Sequence, residues 1–209
     1  MILYGFASSS ASFRVRIALA VKNMRATQVS VKLSEGEHRR ADYLRLNPQG
    51  FVPALRLDDG RMLTQSGAII EYLEETIPAP RLLPADPAER AEVRALCQLI
   101  ACDVHPLNNL RVRKYLEGTL RLDQNARDTW YRHWVQQGFD ALEQFLARTA
   151  GRFSVGDAPS MADVYLVPQV FNARRFATDL APYPRIVAID AACRELPAFA
   201  GAAPDKQPG

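Results

Sequence analysis

The chain has 209 residues, 48% hydrophobic and 23% charged, a balance that supports a packed core and excludes a disordered chain. Its 26 basic and 23 acidic side chains leave a formal charge of +3, too small an excess to argue for nucleic acid but mildly favourable to small anionic ligands. The three cysteines, Cys97, Cys102 and Cys193, cannot all pair and lack metal-ligand spacing. No apolar run approaches the ~20 residues of a membrane span, and no basic leader precedes an apolar stretch, so the expectation is a soluble, cytoplasmic protein without metal or membrane.

In chain order, the apolar run Ile2-Leu3-Tyr4 predicts a strand ended by Gly5, and residues 11–22 predict a helix. Ser8, Ser9, Ser10 and Ser12 crowd the join. Residues 28–33 alternate apolar and polar and predict a half-buried strand, while 34–48 predict a polar loop with a short helix near its end. Val52 to Leu57 predict a strand whose start carries Pro53, and Asp58-Asp59-Gly60 a hairpin turn into Arg61-Met62-Leu63. Ser66 is the expected N-cap of a helix over Ala68 to Glu75. The order is βαβαββα, with parallel strands from the first crossover and an antiparallel pair at the hairpin.

Prolines 78, 80, 84 and 87 mark a linker. The expected domains are 1–78, a linker at 79–86, and an all-helical part at 87–209. Within the latter, one helix is predicted from Pro87 to about Tyr115, kinked at Pro106, with Cys97 and Cys102 as buried thiols. A second runs from an Asp123 cap to about Thr149. A third, opened by a Ser160–Asp163 capping box, is apolar nearly all round. A last helix covers about 183–196, and the tail from Gly201 is expected to be loosely ordered.

Two helix starts in the first half carry hydroxyls or amides, Ser9 to Ser12 and Gln65-Ser66. Each reads structurally as a helix cap. Together they read as an anion or thiolate end and a carboxylate end. The free strand start at Val52-Pro53 would pair with an extended peptide-like ligand between them.

These residues carry a resemblance. The order of elements and the run Ser9-Ser10-Ala11-Ser12-Phe13-Arg14-Val15-Arg16-Ile17-Ala18-Leu19 resemble the cytosolic glutathione transferases of the zeta class, where Ser-Ser-Cys-Ser-Trp-Arg-Val-Arg-Ile-Ala-Leu is typical. Leu46-Asn47-Pro48, Val52-Pro53, Gln65-Ser66, Gly156-Asp157, Met161-Ala162-Asp163 and Pro182-Tyr183-Pro184 extend the likeness along the chain. The sequence is similar to the maleylacetoacetate and maleylpyruvate isomerase branch, and Cys102 to Asn109 lean toward its bacterial maleylpyruvate members.

The resemblance implies an α/β, thioredoxin-like first domain followed by an all-α second domain, glutathione as cofactor, a small dicarboxylate substrate and a homodimer. It implies that Ser9, with Ser10 and the Ala11 backbone, faces the glutathione sulfur, and that Gln65 and Ser66 grip the γ-glutamyl group. Val52 would pair with the cysteinyl unit through its backbone, with Pro53 cis. His38 would lie near the glycyl end, His105 and Asn109 near glutathione, and Arg111 and Arg175 by the second substrate. Two positions depart from the pattern: Ser8 stands where these isomerases carry Arg, and Ala11 where they carry Cys or Thr. The implied activity is cis–trans isomerisation of a maleyl keto acid. The alternatives are glutathione transfer to, or dehalogenation of, small electrophiles such as α-halo acids, and a non-catalytic glutathione-binding module.

Overall fold

The computed structural model describes residues 1–207. The described residues form two compact units, one of Met1–Arg81 with residues 194–207, the other of Leu82–Cys193.

In the first unit β1 (Ile2–Gly5) leads into α1 (Ser10–Val21), β2 (Thr27–Ser30), a 3₁₀ turn at Glu37–Arg39 and α2 (Ala41–Leu46). Then come β3 (Ala54–Arg56), β4 (Met62–Thr64) and α3 (Ser66–Thr76). The sheet order is β2-β1-β3-β4, with β1 and β2 parallel and the two other pairs antiparallel. Leu3, Val15, Ile17, Ala54, Leu55, Ile69, Ile70 and Leu73 are fully buried and form its core.

α1 is buried on nearly every side because α3 and α9 (Pro197–Ala202) both pack on it. Two of the cations there, Arg16 and Lys22, are held by specific acceptors. Arg16 donates from Nε to the Ala202 carbonyl at 2.9 Å and from a terminal nitrogen to the Ala7 carbonyl at 2.9 Å, and burial lowers its pKa to about 10. Lys22 closes the helix with Nζ 2.5 Å from Glu74, 2.7 Å from the Ile77 carbonyl and 2.6 Å from the Pro80 carbonyl.

The second unit begins with Leu82 and Leu83, both buried, so the proline-rich stretch is packed at its end; the Leu82 carbonyl accepts from Met161 N at 2.7 Å. α4 (Pro87–Gln98) is capped by Asp86 and continues as a π-helical turn, Leu99–Val104. A 3₁₀ turn at Pro106–Asn108 precedes α5 (Leu110–Gly118), and α6 (Gln124–Thr149) follows. α7 (Met161–Arg175) is buried along most of its length, its N-terminus closed by the Ser160–Asp163 box, and α8 is Pro184–Arg194.

The structure corrects several expectations. β2 is a short, exposed edge strand ending at Ser30, and the buried Val31 lies past its end. The first helix of the second unit does not run kinked to Tyr115. Pro106 supplies no N–H and the Asn109 side chain opens a new helix, so the run is broken in two. Cys102 is exposed while Cys97 is buried, because the π turn rotates the apolar stripe between them. Within the tail expected to be loose from Gly201, α9 runs to Ala202 and a 3₁₀ turn covers Pro204–Lys206, while residues 208–209 lie outside the described residues. The residue that caps α3 is Gln65, with Ser66 its first helical residue.

Candidate active site

The site begins with sheet direction. β1 and β4 both run antiparallel to β3, so the ends of β1 and β4 and the start of β3 share one edge. Tyr4 is paired with Ala54, and Ala54 with Thr64, along the last row of that edge. Beyond the row lie Gln65-Ser66, directly after Thr64 and entering α3, the Val52-Pro53 pair directly before Ala54, and, past residues 6–9, the start of α1. Three stretches far apart in sequence meet through topology alone, at the edge where α/β folds bind ligands.

At the α1 end, Ser9 has φ −77° and ψ 118°, and its Oγ accepts from Ser12 N at 3.2 Å. The structural reading of this serine as a helix cap holds, and the cap leaves room for the chemical one. The cap uses an oxygen lone pair, and the hydroxyl proton stays available to a second acceptor. Ser12 is fully buried with Oγ 3.3 Å from Phe6 N, which fixes the turn behind it. Ser10 is buried and Ala11 half-buried on the first turn, where backbone N–H groups have no partner within the helix. A sulfur placed beside Ser9 meets an O–H donor and a positive helix end, both of which favour thiolate over thiol.

At the β3 entry, Val52-Pro53 is cis, and Val52 makes no backbone hydrogen bond among the described residues. The preceding carbonyl, on Phe51, accepts from the Tyr43 hydroxyl at 2.6 Å and from Asn47 Nδ2 at 2.9 Å. Side chains hold this stretch where a strand partner would otherwise do so. Burial pushes the Tyr43 phenol well above its usual pKa, so it stays a donor. His38 is buried just behind. Gly50 has φ +63°, and a Cβ there would lie 2.8 Å from the His38 carbonyl, so both backbone shape and close approach demand glycine.

At the α3 entry, Gln65 has φ +67°, uncommon for a residue with a side chain and costing about 1–3 kcal/mol. Ser9, Asp86, Asn109 and Asp123 cap α1, α4, α5 and α6 with side-chain oxygens, but no side chain caps α3. Its first amides are left to an outside acceptor beside the Ser66 hydroxyl. Gln65 Nε2 is held by Gln49 Oε1 at 2.8 Å, which aims the amide along the same edge. The edge thus presents an uncapped helix start that suits a carboxylate, a free strand start that suits an amide and a donor-rich helix start that suits an anion.

The second unit carries the remaining expected residues. His105 ends the π turn, its N–H donating to the Ile100 carbonyl at 2.9 Å. Asn109 caps α5, with Oδ1 accepting from Arg111 N at 3.1 Å. Its side-chain amide nitrogen has no acceptor among the described residues. Arg111 is exposed on the first turn of α5, and Arg175 is exposed at the end of α7. The sequence reading missed Arg113, two residues along α5 from Arg111, and Phe176, whose ring both Arg113 and Arg175 approach. The only signal was charge spacing on α5, which also fits a solvated face.

Family models for the glutathione S-transferase N-terminal and C-terminal domains match residues 3–81 and 125–192. The chain belongs to the glutathione S-transferase family, with a thioredoxin-like first domain and a helical second. It is 51% identical to the maleylpyruvate isomerase of a Ralstonia species over 211 residues, covering all of this chain and 99% of that one. The holo structure of a maleylpyruvate isomerase, described as a bacterial zeta-class enzyme, superposes with a TM-score of 0.97 at 50% identity, covering 100% and 99% of the two chains. The maleylacetoacetate isomerase of Methylobacterium extorquens AM1, with malonate and GSH bound, superposes with a TM-score of 0.97 at 42% identity and the same coverage. Among the described residues no helix is long and apolar enough to cross a membrane.

Proposed function

We propose that the protein is a glutathione-dependent cis–trans isomerase that converts maleylpyruvate or maleylacetoacetate to the fumaryl isomer. The observation that carries the reading is the sheet edge that β1 and β4 leave, and β3 enters, toward Ser9, Val52 and the start of α3, which has no side-chain cap among the described residues. The similarity to isomerases of both substrates supports it.

Bound glutathione supplies a thiol that adds to the alkene carbon and leaves again, so the carbon–carbon bond is single while it turns and no glutathione is consumed. Ser9 donates its O–H toward the sulfur, and the α1 N-terminus adds its partial positive charge, lowering the thiol pKa. Ser10 and the Ala11 amide complete that turn. Gln65, Ser66 and the α3 amides hold the γ-glutamyl carboxylate, and Val52 pairs with the cysteinyl backbone. His38, His105 and Asn109 contribute to glutathione binding, while Arg111 and Arg175 hold the carboxylates of the keto acid. The protein acts in the cytoplasm as a homodimer.

A second reading has one specific observation in its favour. Ser8 stands where the resemblance expects Arg, which removes a cation worth about 1.5–3 kcal/mol to a charged hydrogen bond. The same thiolate would then serve transfer to α-halo acids. Side-by-side kcat/KM for maleylpyruvate, maleylacetoacetate and an α-halo acid separates the readings, and the keto acids are expected to lead by tenfold or more. For Ser9→Ala, turnover should fall ten- to a hundredfold with glutathione affinity changed less than threefold. Ser9→Thr, which keeps both hydroxyl and cap, should recover most of it. Near-normal turnover in Ser9→Ala would remove this hydroxyl from the chemistry.

A further inference from the structure

The two arginines that end α7 have different surroundings. Arg174 reaches the buried Asp190 at 2.6 Å, a complete charge-assisted pair. Arg175 has no ion-pair partner among the described residues. On α5, Arg113 is half-buried, its Nε is out of contact with solvent and without a hydrogen bond, and it too has no ion-pair partner among the described residues.

Both unpaired guanidiniums converge on one ring. Arg113 lies 4.5 Å from the centroid of Phe176 and Arg175 lies 5.8 Å from it. Tyr131 stacks on the same ring at 3.7 Å with planes 22° apart, which fills one face and leaves the other to the guanidinium. The aromatic pair therefore fixes Arg113 in direction, because a planar cation on an aromatic face is held more firmly than one in water. Tyr131 does not discharge the pair. Both arginines pull its pKa down, but burial wins and raises it, so the phenol stays neutral. Two like charges brought toward one ring without an anion repel each other, and a bound carboxylate relieves the repulsion.

We propose that Arg113, steered by Phe176 and Tyr131, forms with Arg175 a carboxylate clamp and is a specificity-determining residue for dianionic substrates. The assignment rests on the isomerase reading for the identity of the ligand, but the clamp itself needs only a small dicarboxylate.

The test uses the full chain saturated with glutathione and malonate as the probe. Arg113→Met keeps length and apolar packing and removes the charge. Malonate affinity should fall at least tenfold, and the KM for the keto acid should rise by a similar factor while kcat changes less than threefold. Glutathione affinity should stay within twofold. Arg113→Lys keeps the charge without the fork and should lose three- to tenfold in malonate affinity. Malonate affinity within twofold of wild type in Arg113→Met overturns the clamp, as does an equal loss of glutathione affinity, which would assign Arg113 to the cofactor. Should Arg113→Met fail to fold, unchanged malonate binding in Arg113→Lys overturns it equally. A wild-type protein that binds malonate through Arg113 yet does not isomerise either keto acid would defeat the proposed function and leave the clamp standing.

Discussion

Ser9 leaves different atoms of one side chain for structure and for chemistry. Its Oγ takes the Ser12 amide at 3.2 Å, a helix cap worth about 1 kcal/mol, and its proton remains for a ligand. The two costs of Ser9→Ala are therefore separable by measurement: about 1 kcal/mol in unfolding free energy, and a larger loss in turnover. The three cysteines make the same point about environment. Burial raises the pKa of Cys193, with Asp163 and Asp190 opposing its ionisation further, whereas Cys102 is exposed. In the native protein a thiol-specific chromogenic reagent should titrate one group quickly at pH 8, and Cys102→Ser should abolish that phase. A fast phase surviving Cys102→Ser would place a second thiol at the surface, against the burial of Cys97 and Cys193.

Among the elements, the helices of the second unit are joined by contacts that no local pattern announces. Glu143 on α6 accepts from the Arg185 and Ile186 amides at 2.9 and 3.1 Å, so one helix caps another. Asp163 accepts from Ser160 N at 2.7 Å and Ser154 N at 2.8 Å, tying the α7 cap to the loop before it. Gly138 marks the closest approach, since a Cβ there would collide with the side chain of Val104 in the π turn. Replacing it with alanine sets two effects against each other. Helix propensity gains about 1 kcal/mol, while overpacking a stiff β-branched neighbour costs about 1–3 kcal/mol. Gly138→Ala should therefore be destabilised by up to about 2 kcal/mol in denaturant unfolding, and Gly138→Ala with Val104→Ala should recover part of the loss. A more stable Gly138→Ala would mean that the π turn yields freely.

The same contrast explains what the sequence made legible. Helices α6 and α7 announced themselves because a cap and an apolar period are local features, and the Ser160–Asp163 box stands where its spacing put it. The shared edge of the first unit was legible too, because the order of strands brings the β1 exit, the β3 entry and the β4 exit to one side of the sheet. What escaped the reading depends on distant partners. The π turn after Gln98 arises from packing against α6, β2 is exposed because it is the sheet edge, and Arg113 acquires meaning only when Phe176 arrives from another helix.

For the molecule as a whole, the return of the C-terminal segment to the first unit is the feature with the largest energetic consequence. The chain crosses the entire helical unit before α9 covers α1. Phe199 is 1% exposed there, and the Ala202 carbonyl satisfies the buried Arg16 guanidinium. Without that acceptor a buried cation would lose a charge-assisted hydrogen bond, and without Phe199 an aromatic-sized cavity would open beside the helix that presents Ser9. Phe199→Ala should lower the unfolding free energy by about 3–5 kcal/mol, read by urea denaturation, the size seen when a buried aromatic is truncated in a core. Glutathione affinity should weaken with it, because the first turn of α1 is held from behind by the same packing. A loose tail predicts a change below about 0.5 kcal/mol for the same substitution, so a single denaturation curve decides whether the glutathione-binding unit is complete at residue 81 or only after the chain returns.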